Sequence, residues 1–481
     1  MSPFVCILVP IAGAFLLLTS IGKRNAITVL ISTAVINALA VVCILLFFSS
    51  SGTEYFFHRY FVNDSSSRLF LTLIISVFLG FAPYVYVRVS ASELLETGIN
   101  KFGCLSLLFF TSGGLAVLSN HLILNWLFLE LTTIAAAPMI YHQKTGSSVR
   151  AAWKYFLFSN VGLGIVFLGF ICLMHAFEAQ STSEVTLFIS ELSQRTDLVS
   201  SLWTKLGIFL VLLGYGTKLG MAPMYAWLPD TYDAAPPSVT SLLAAVQFNC
   251  VVLAVFRVLH LFRDVDPDLV RYQLIAMGLL SVAIATINVV TAKNFKKLIA
   301  YASINHAGVI AIGLGLGRTA AYGVVVYVLS NALVKAILFL TAGNIKARYR
   351  TKSITGLQGL IHDMPYSGWS FMVGIFALLG FAPFGSFLGE IMMMSAMIEQ
   401  GRFVVFCVFC MLMTFIFIAT GRSLFPMIWG ESKVSEAHRG ESILTVIPNF
   451  FFVVLLMVLG LYIPLAANQV LQEVALQVAG K

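Results

Sequence analysis

Charge is what this sequence has least of. Aspartate, glutamate, lysine and arginine make up 10% of its 481 residues, while 59% are hydrophobic and 40 are phenylalanine. An ordinary soluble domain carries about 25% charged residues. A chain this poor in charge cannot cover itself with polar surface, and disorder, collagen and coiled coil fall to the same count. Cysteine is scarce too. The seven lie almost wholly inside apolar runs, so no disulfide framework is indicated. Cys407 and Cys410 form a CxxC in FVVFCVFCMLMTF, with no second CxxC and no histidine nearby. Two lipid-compatible small residues account for it better than a cluster or a zinc site. No metal or cofactor site is expected in this chain. The first apolar run lacks a basic stretch before it and is followed by Lys23 and Arg24, so it reads as a first span rather than a cleaved leader. No basic patch with interleaved aromatics stands apart from a membrane boundary, which argues against nucleic acid.

Long apolar stretches are what the sequence does have. A membrane span needs about 20 apolar residues. The stretches are continuous rather than alternating in short segments, which excludes a barrel. The expectation is an all-α polytopic membrane protein of about fourteen spans. Their cores fall near 3–20, 27–49, 69–89, 103–119, 121–141, 152–176, 203–228, 238–262, 272–291, 297–316, 319–345, 366–397, 402–426 and 443–467. Basic residues gather in the connections of one side, notably Lys23, Arg24, Lys144, Arg150, Lys293, Lys296, Lys297, Lys346, Arg348, Arg350 and Lys352. The long connection 177–202 on the other side carries Glu178, Glu184, Glu191 and Asp197 against Arg195. By the positive-inside rule both termini are expected outside. Arg257 and Arg263 count with the outer segments, and the net charge of +8 then reads as topology.

Five ionisable residues remain within the spans: Glu130, Lys154, Lys218, Lys335 and Glu390. Such residues are expensive in the bilayer and mark ion paths more often than structural ties. Glu130 sits in HLILNWLFLELTTIAAAPMIY with apolar neighbours on both sides. Lys218 sits in GIFLVLLGYGTKLGMAPMYAWLP, surrounded by Gly214, Gly216 and Gly220 and followed by Pro223. That pattern predicts an interrupted helix, and burial makes an ammonium easier to deprotonate, so Lys218 is a candidate proton carrier. Glu390 follows a second expected break around Gly380, Pro383, Gly385 and Gly389. Tyr327, Asn331 and Lys335 recur at i, i+4, i+8 and define a polar stripe on one helix face; interhelical hydrogen bonding is the plain alternative. Lys154 stands near a boundary, where snorkelling competes with function. His306, alone in an apolar helix, is as readily a structural histidine as a relay. Paired broken helices are where transporters build their sites.

These stretches resemble the antiporter-like proton-translocating subunits shared by respiratory complex I, Mrp-type sodium/proton antiporters and membrane-bound [NiFe] hydrogenases. WLFLELTTIAAA, 126–137, resembles the family's fifth-helix glutamate motif, and AAWKYFLFSNVG, 151–162, its sixth-helix lysine motif. GYGTKLGMAPMYAWLPDTYDAAPPSVTSLL, 214–243, matches its glycine-threonine-lysine, broken-helix, WLPD and alanine-proline segments in order. NFKKLIAYASINHAG, 294–308, and NALVKAILFLTAGN, 331–344, resemble the tenth- and eleventh-helix motifs. The likeness runs from about Asp64 to about Arg422. It implies N-terminal helices in 1–100, two inverted five-helix repeats in 101–263 and 264–428, and a C-terminal helix in 429–481. It pairs Glu130 with Lys218 in the first repeat and continues through Lys335 and Glu390 in the second. Two positions depart from it. Asn249 stands where members often carry lysine, and Asn331 where many carry histidine. Both departures are closer to the hydrogenase-type members. The chain also stops too soon after the last span for the long lateral helix of the distal complex I subunit.

The resulting expectation is a proton-translocating membrane subunit of a redox-driven complex in a prokaryotic cytoplasmic membrane. No redox or hydrolytic site lies in the chain itself. Expected partners are other membrane subunits, peripheral redox subunits with Fe–S and, in the hydrogenase type, NiFe centres, and the lipid bilayer. Two transport alternatives stay open: a subunit of an Mrp-type sodium/proton antiporter, and an inorganic-carbon transport subunit working with a zinc protein.

Overall fold

The computed structural model describes residues 3–19, 22–47, 52–90, 98–178, 186–194, 200–263, 265–431 and 441–479. Glu184, Arg195, Asp197, Lys433, Arg439 and Lys481 lie outside the described residues. The chain opens with α1 (Val5–Leu18) and α2 (Lys23–Phe47), then a short hairpin of β1 (Glu54–Phe56) and β2 (Phe61–Asn63), paired antiparallel with Tyr55 opposite Val62. Next come α3 (Ser65–Ser90), α4 (Ile99–Leu118), α5 (Leu122–Ile140), α6 (Gly146–Glu178) and the short α7 (Ile189–Leu192). The following helices are α8 (Leu202–Lys218), α9 (Trp227–Ala234), α10 (Pro237–Leu242) and α11 (Phe248–Phe262), with a π-helical turn at Leu243–Gln247 between the last two. Then come α12 (Pro267–Thr291), α13 (Phe295–Leu316), α14 (Ala321–Tyr349), the short α15 (Leu360–Asp363), α16 (Pro365–Leu378) and α17 (Gly385–Glu399). The order closes with α18 (Phe403–Trp429), α19 (Ile443–Leu461) and α20 (Leu465–Ala479).

Among the described residues, eleven helices are long and apolar enough to cross a membrane, and α1 is a shorter apolar helix. Polar residues at their ends set where several begin. Asp64 accepts from the Ser67 N–H at the start of α3, Ser201 from Thr204 at α8, Asp266 from Leu269 at α12, and Asn294 from Lys296 at α13. Each side chain satisfies an amide that the helix itself leaves without a partner.

Burial sorts the helices into inner and outer positions. The most apolar 18 residues of Pro237–Phe262 and of Ala321–Tyr349 are all buried within the protein, whereas only 17% of the corresponding window in Phe403–Trp429 is. The inner pair is therefore screened from lipid and can hold polar groups that lipid would not tolerate. Small residues bring neighbouring helices close. A Cβ added to Gly214 of α8 would lie 2.5 Å from the Gly162 carbonyl oxygen of α6, and one on Gly278 of α12 would lie 2.7 Å from the Gly308 carbonyl oxygen of α13. Such contacts drive packing where apolar burial gives no bias between helix and lipid.

Several features differ from the sequence expectation. Arg257 and Arg263, counted with the outer segments, are 7% and 9% exposed. The Arg257 guanidinium donates to the carbonyls of Val117 and Ser119 at the end of α4 and to the Ser67 hydroxyl. Arg263 donates to the carbonyls of Leu314 and Val478. Long arginine stems let a boundary charge reach inward and fill carbonyls that helix ends leave open. The residues after α19 form a further helix, α20. Its buried Leu471, Val474, Ala475, Val478 and Ala479 follow the helical repeat of a one-sided apolar stripe.

The glycine contacts give a direct test. Gly214→Leu should destabilise the chain by about 1–3 kcal/mol through overpacking, read as a lower midpoint of thermal unfolding in detergent. Gly164→Leu on α6, where an added Cβ meets nothing within 4 Å, should leave that midpoint in place. Equal midpoints for both variants would contradict close α6–α8 packing.

Candidate functional site

Two helices are interrupted in the same way. α8 ends at Lys218 and the helix resumes as α9 at Trp227; α16 ends at Leu378 and resumes as α17 at Gly385. In the first break the amide of Leu219 donates to Tyr215 O, Gly220 to Thr217 O and Met221 to Gly216 O. In the second, Leu379 donates to Ile375 O, Gly380 to Ala377 O and Phe381 to Phe376 O. Every partner is shifted by 160 residues, as are Pro223 and Pro383, each of which follows a cis peptide bond. Gly220 and Gly380 carry φ of 74° and 68°, a left-handed conformation that glycine adopts without strain. Unwinding frees backbone groups that lipid cannot satisfy. The Ala222 N–H finds the Ser281 hydroxyl of α12 at 2.9 Å, and the Ser386 hydroxyl donates to Ala377 O at 2.6 Å.

Lys218, 3% exposed, sits at the lip of the first break. Its ammonium donates to the Thr133 hydroxyl on α5 and lies 5.7 Å from the centre of the Tyr155 ring on α6. Glu130 is one turn before Thr133 on the same helix. It makes no ion pair with Lys218; the two charges interact through space, and Glu130 Oε2 is buried without a hydrogen-bond partner. Thr133, on the helix that carries Glu130, is the hydrogen-bond partner of the Lys218 ammonium.

Gln247, in the π-turn, extends this cluster toward the other half. Its Nε2 lies 2.9 Å from Thr132 Oγ1 and 2.7 Å from the Tyr155 hydroxyl. The wider π-turn is a recurrent feature of functional sites. Its chain neighbour Phe248 receives the ammonium of Lys335 over its ring, 3.8 Å from the centroid. Lys335, on α14, is wholly buried and has no hydrogen-bond partner. One turn before it, Asn331 has neither side-chain atom bonded, and a turn further Tyr327 hydrogen-bonds His306 Nδ1 on α13. The Tyr327 hydroxyl also interacts with the Glu390 carboxyl on α17. That carboxyl lies against Gly380, at a spot where a Cβ would collide with it, and its Oε1 has no partner.

The structure therefore brings the half-buried Glu130 and the buried Lys218, Lys335, Asn331, Tyr327, His306 and Glu390 into one series, joined through Thr133, Tyr155, Gln247 and Phe248. Asn249 is buried beside the series, but its amide donates to Ala245 O at 2.7 Å on its own helix, which leaves only the oxygen unpartnered. Lys154 stands apart. Half-exposed, it pairs with Asp230 Oδ2 at 2.5 Å, and Lys297 reaches Asp230 Oδ1 at 3.3 Å. Asp230 follows Pro223 by seven residues, as Glu390 follows Pro383. The sequence reading passed over Gln247, Thr133, Tyr155 and Asp230. Gln247 shares its apolar span with Asn249, two residues on, and neither carries a charge that would mark it.

Buried polar atoms without a partner are uncommon in folded proteins and ask for water or a mobile ion. At a resolution that shows solvent, ordered water should lie within hydrogen-bond distance of Asn331, of the Lys335 ammonium and of Glu390 Oε1. Dry apolar packing around all three would rule out a hydrated route between them.

Comparison with known proteins agrees with this architecture. The chain is 26% identical over 418 residues to the hydrogenase-4 component F homolog of Methylacidiphilum infernorum, covering 84% of this chain and 86% of that protein. It is 27% identical over 394 residues to a Na(+)/H(+) antiporter subunit of Bacillus subtilis, covering 81% and 78%. Among solved structures, a chain of the archaeal membrane-bound sulfane sulfur reductase, a respiratory membrane complex, superposes with a TM-score of 0.89 at 23% identity, over 99% of this chain and 98% of that one. Residues 119–417 match the family model described as NADH:quinone oxidoreductase/Mrp antiporter, transmembrane, and this integral membrane chain belongs to that family.

Proposed function

We propose that this chain translocates protons as the antiporter-like membrane subunit of a redox-driven complex of the complex I or membrane-bound hydrogenase kind. The observation that carries the proposal is the series of polar groups running from the half-buried Glu130 through the buried Lys218, Gln247 and Lys335 to Glu390. Fourteen spans accommodate the helices: the eleven long ones, α1, and the interrupted pairs α8–α9 and α16–α17. The matching hydrogen bonds of the two breaks support two repeats, at 101–263 and 264–428. The clustering of basic residues supports both termini outside, and the likeness to bacterial proteins supports a prokaryotic cytoplasmic membrane.

In this reading Lys218 holds a proton on the Thr133 hydroxyl. Its affinity for that proton depends on Glu130, because a nearby carboxylate favours the ammonium form. An event in a partner subunit that alters the charge of Glu130 releases or captures the proton. Tyr155 and Gln247 carry hydrogen bonding toward α14, where Lys335 is the next charge and Asn331 and Tyr327 the polar surface beyond it. Glu390, with His306 behind Tyr327, is the terminal acid. The electrons stay in other subunits. The likeness to a Na(+)/H(+) antiporter component supports sodium/proton exchange as the second reading, with the unpartnered amide oxygens of Asn249 and Asn331 as ligands of the type a hard cation takes.

Proton uptake into inverted vesicles, followed with a pH-sensitive dye while the complex turns over, tests both readings. Lys218→Met should cut uptake by roughly tenfold or more, as expected for loss of a proton-transfer group, with the subunit still assembled. Glu130→Gln should impair uptake, while Glu130→Asp retains part of it. Gln247→Leu should lower uptake without loss of assembly. Full uptake by Lys218→Met removes that residue from the mechanism, and uptake that requires sodium favours the second reading.

A further inference from the structure

A recess of about 600 Å³ opens between α12 and α18, floored by the loop around Ile354 and Leu357. It lies at a membrane boundary, since α12 ends at Thr291 and the chain turns back into α13 at Phe295. Arg422 sits at a matching depth. It is 19 residues beyond Phe403, about 28 Å along α18 at 1.5 Å per residue, against a hydrocarbon core of about 30 Å.

The recess has two kinds of wall. Val290, Phe415 and Ile418 are 60%, 52% and 55% exposed and line its apolar side. Lys293 and Arg422 line the polar side, and no carboxylate is among the lining residues. Three other cations on this end of the molecule are held by carboxylates: Lys154 and Lys297 by Asp230, and Lys352 by Asp233 at 2.8 Å. Lys293 and Arg422 are exposed and make no ion pair or side-chain hydrogen bond with the described residues. Two cations with no ion pair among the described residues line one recess beside an apolar slot, at the depth of lipid phosphates. That combination complements a ligand with one anionic head and a long apolar tail.

We infer that this recess binds an anionic phospholipid, with the phosphate held between Lys293 and Arg422 and an acyl chain laid along α18 against Phe415 and Ile418. A guanidinium holds a phosphate through two parallel hydrogen bonds, and a lysine adds a point charge. Basic pockets between membrane helices are suited to such head groups. A zwitterionic head group brings its own cation against these two, so the site discriminates by charge.

The test is native mass spectrometry of the delipidated complex containing this chain, titrated with phosphatidylglycerol or phosphatidylcholine. The expected result is a preference for phosphatidylglycerol of about thirtyfold, as two surface cations provide, which the double variant Lys293→Gln/Arg422→Gln abolishes. The pair Lys293→Arg/Arg422→Lys keeps both charges and should keep the preference. Equal binding of the two lipids, or an undiminished preference in the double glutamine variant, overturns the proposal. A photoactivatable residue in place of Phe415 should capture lipid in the intact complex; capture of a neighbouring subunit means that protein covers the recess, and overturns it as well.

Discussion

The constraint on which the rest depends is that no backbone amide or carbonyl can be left bare at membrane depth. A helix meets that demand by itself, so breaking one in mid-bilayer requires substitute partners. Here the substitutes are Ser281 for the Ala222 amide and Ser386 for the Ala377 carbonyl. Each interruption is therefore tied to neighbours that hold it in place. The ionisable groups then take positions relative to those fixed points: Lys218 at the last helical residue before one break, and Glu390 folded over the glycine of the other.

Burial of the central helices follows from the same need. Polar side chains such as Gln247, Asn331 and Lys335 are sustainable only where other helices exclude lipid, and the buried apolar centres of Pro237–Phe262 and Ala321–Tyr349 supply that setting. The outer helices face hydrocarbon and carry the bulk of the exposed aliphatic and aromatic surface. Close glycine contacts then stand in for the hydrophobic drive that operates in water. The arrangement has a polar axis enclosed by apolar helices.

Much of this was legible in the sequence, for an identifiable reason. One lysine or glutamate in a long apolar run is conspicuous, so Glu130, Lys218, Lys335 and Glu390 announced themselves, and clustered glycine and proline marked both breaks. Gln247 did not stand out because an uncharged amide perturbs hydropathy little, and its partners Thr132 and Tyr155 lie 115 and 92 residues away. Asp230 reads as part of a loop motif until Lys154 and Lys297 are seen to converge on it. Arg257 and Arg263 were assigned by position along the chain, whereas their long side chains decide where the charge rests. The helix α20 was overlooked because a one-sided stripe does not raise average hydropathy as a full span does.

Two acids, Asp230 and Glu390, follow the two prolines by the same seven residues and have opposite electrical fates. Asp230 is half-exposed and clamped between two lysines, so its charge is fixed and compensated. Glu390 is buried, has no cation paired with it, and changes the net charge of the interior whenever its proton comes or goes. A transmembrane voltage does work only on charge that moves through the field, about 2.3 kcal/mol per elementary charge for a full crossing at 100 mV. Work of that kind is defined by where a charge is free to change, so one backbone device repeated in the chain leads to an acid offset in place by two lysines and to a buried acid with no cation paired to it among the described residues.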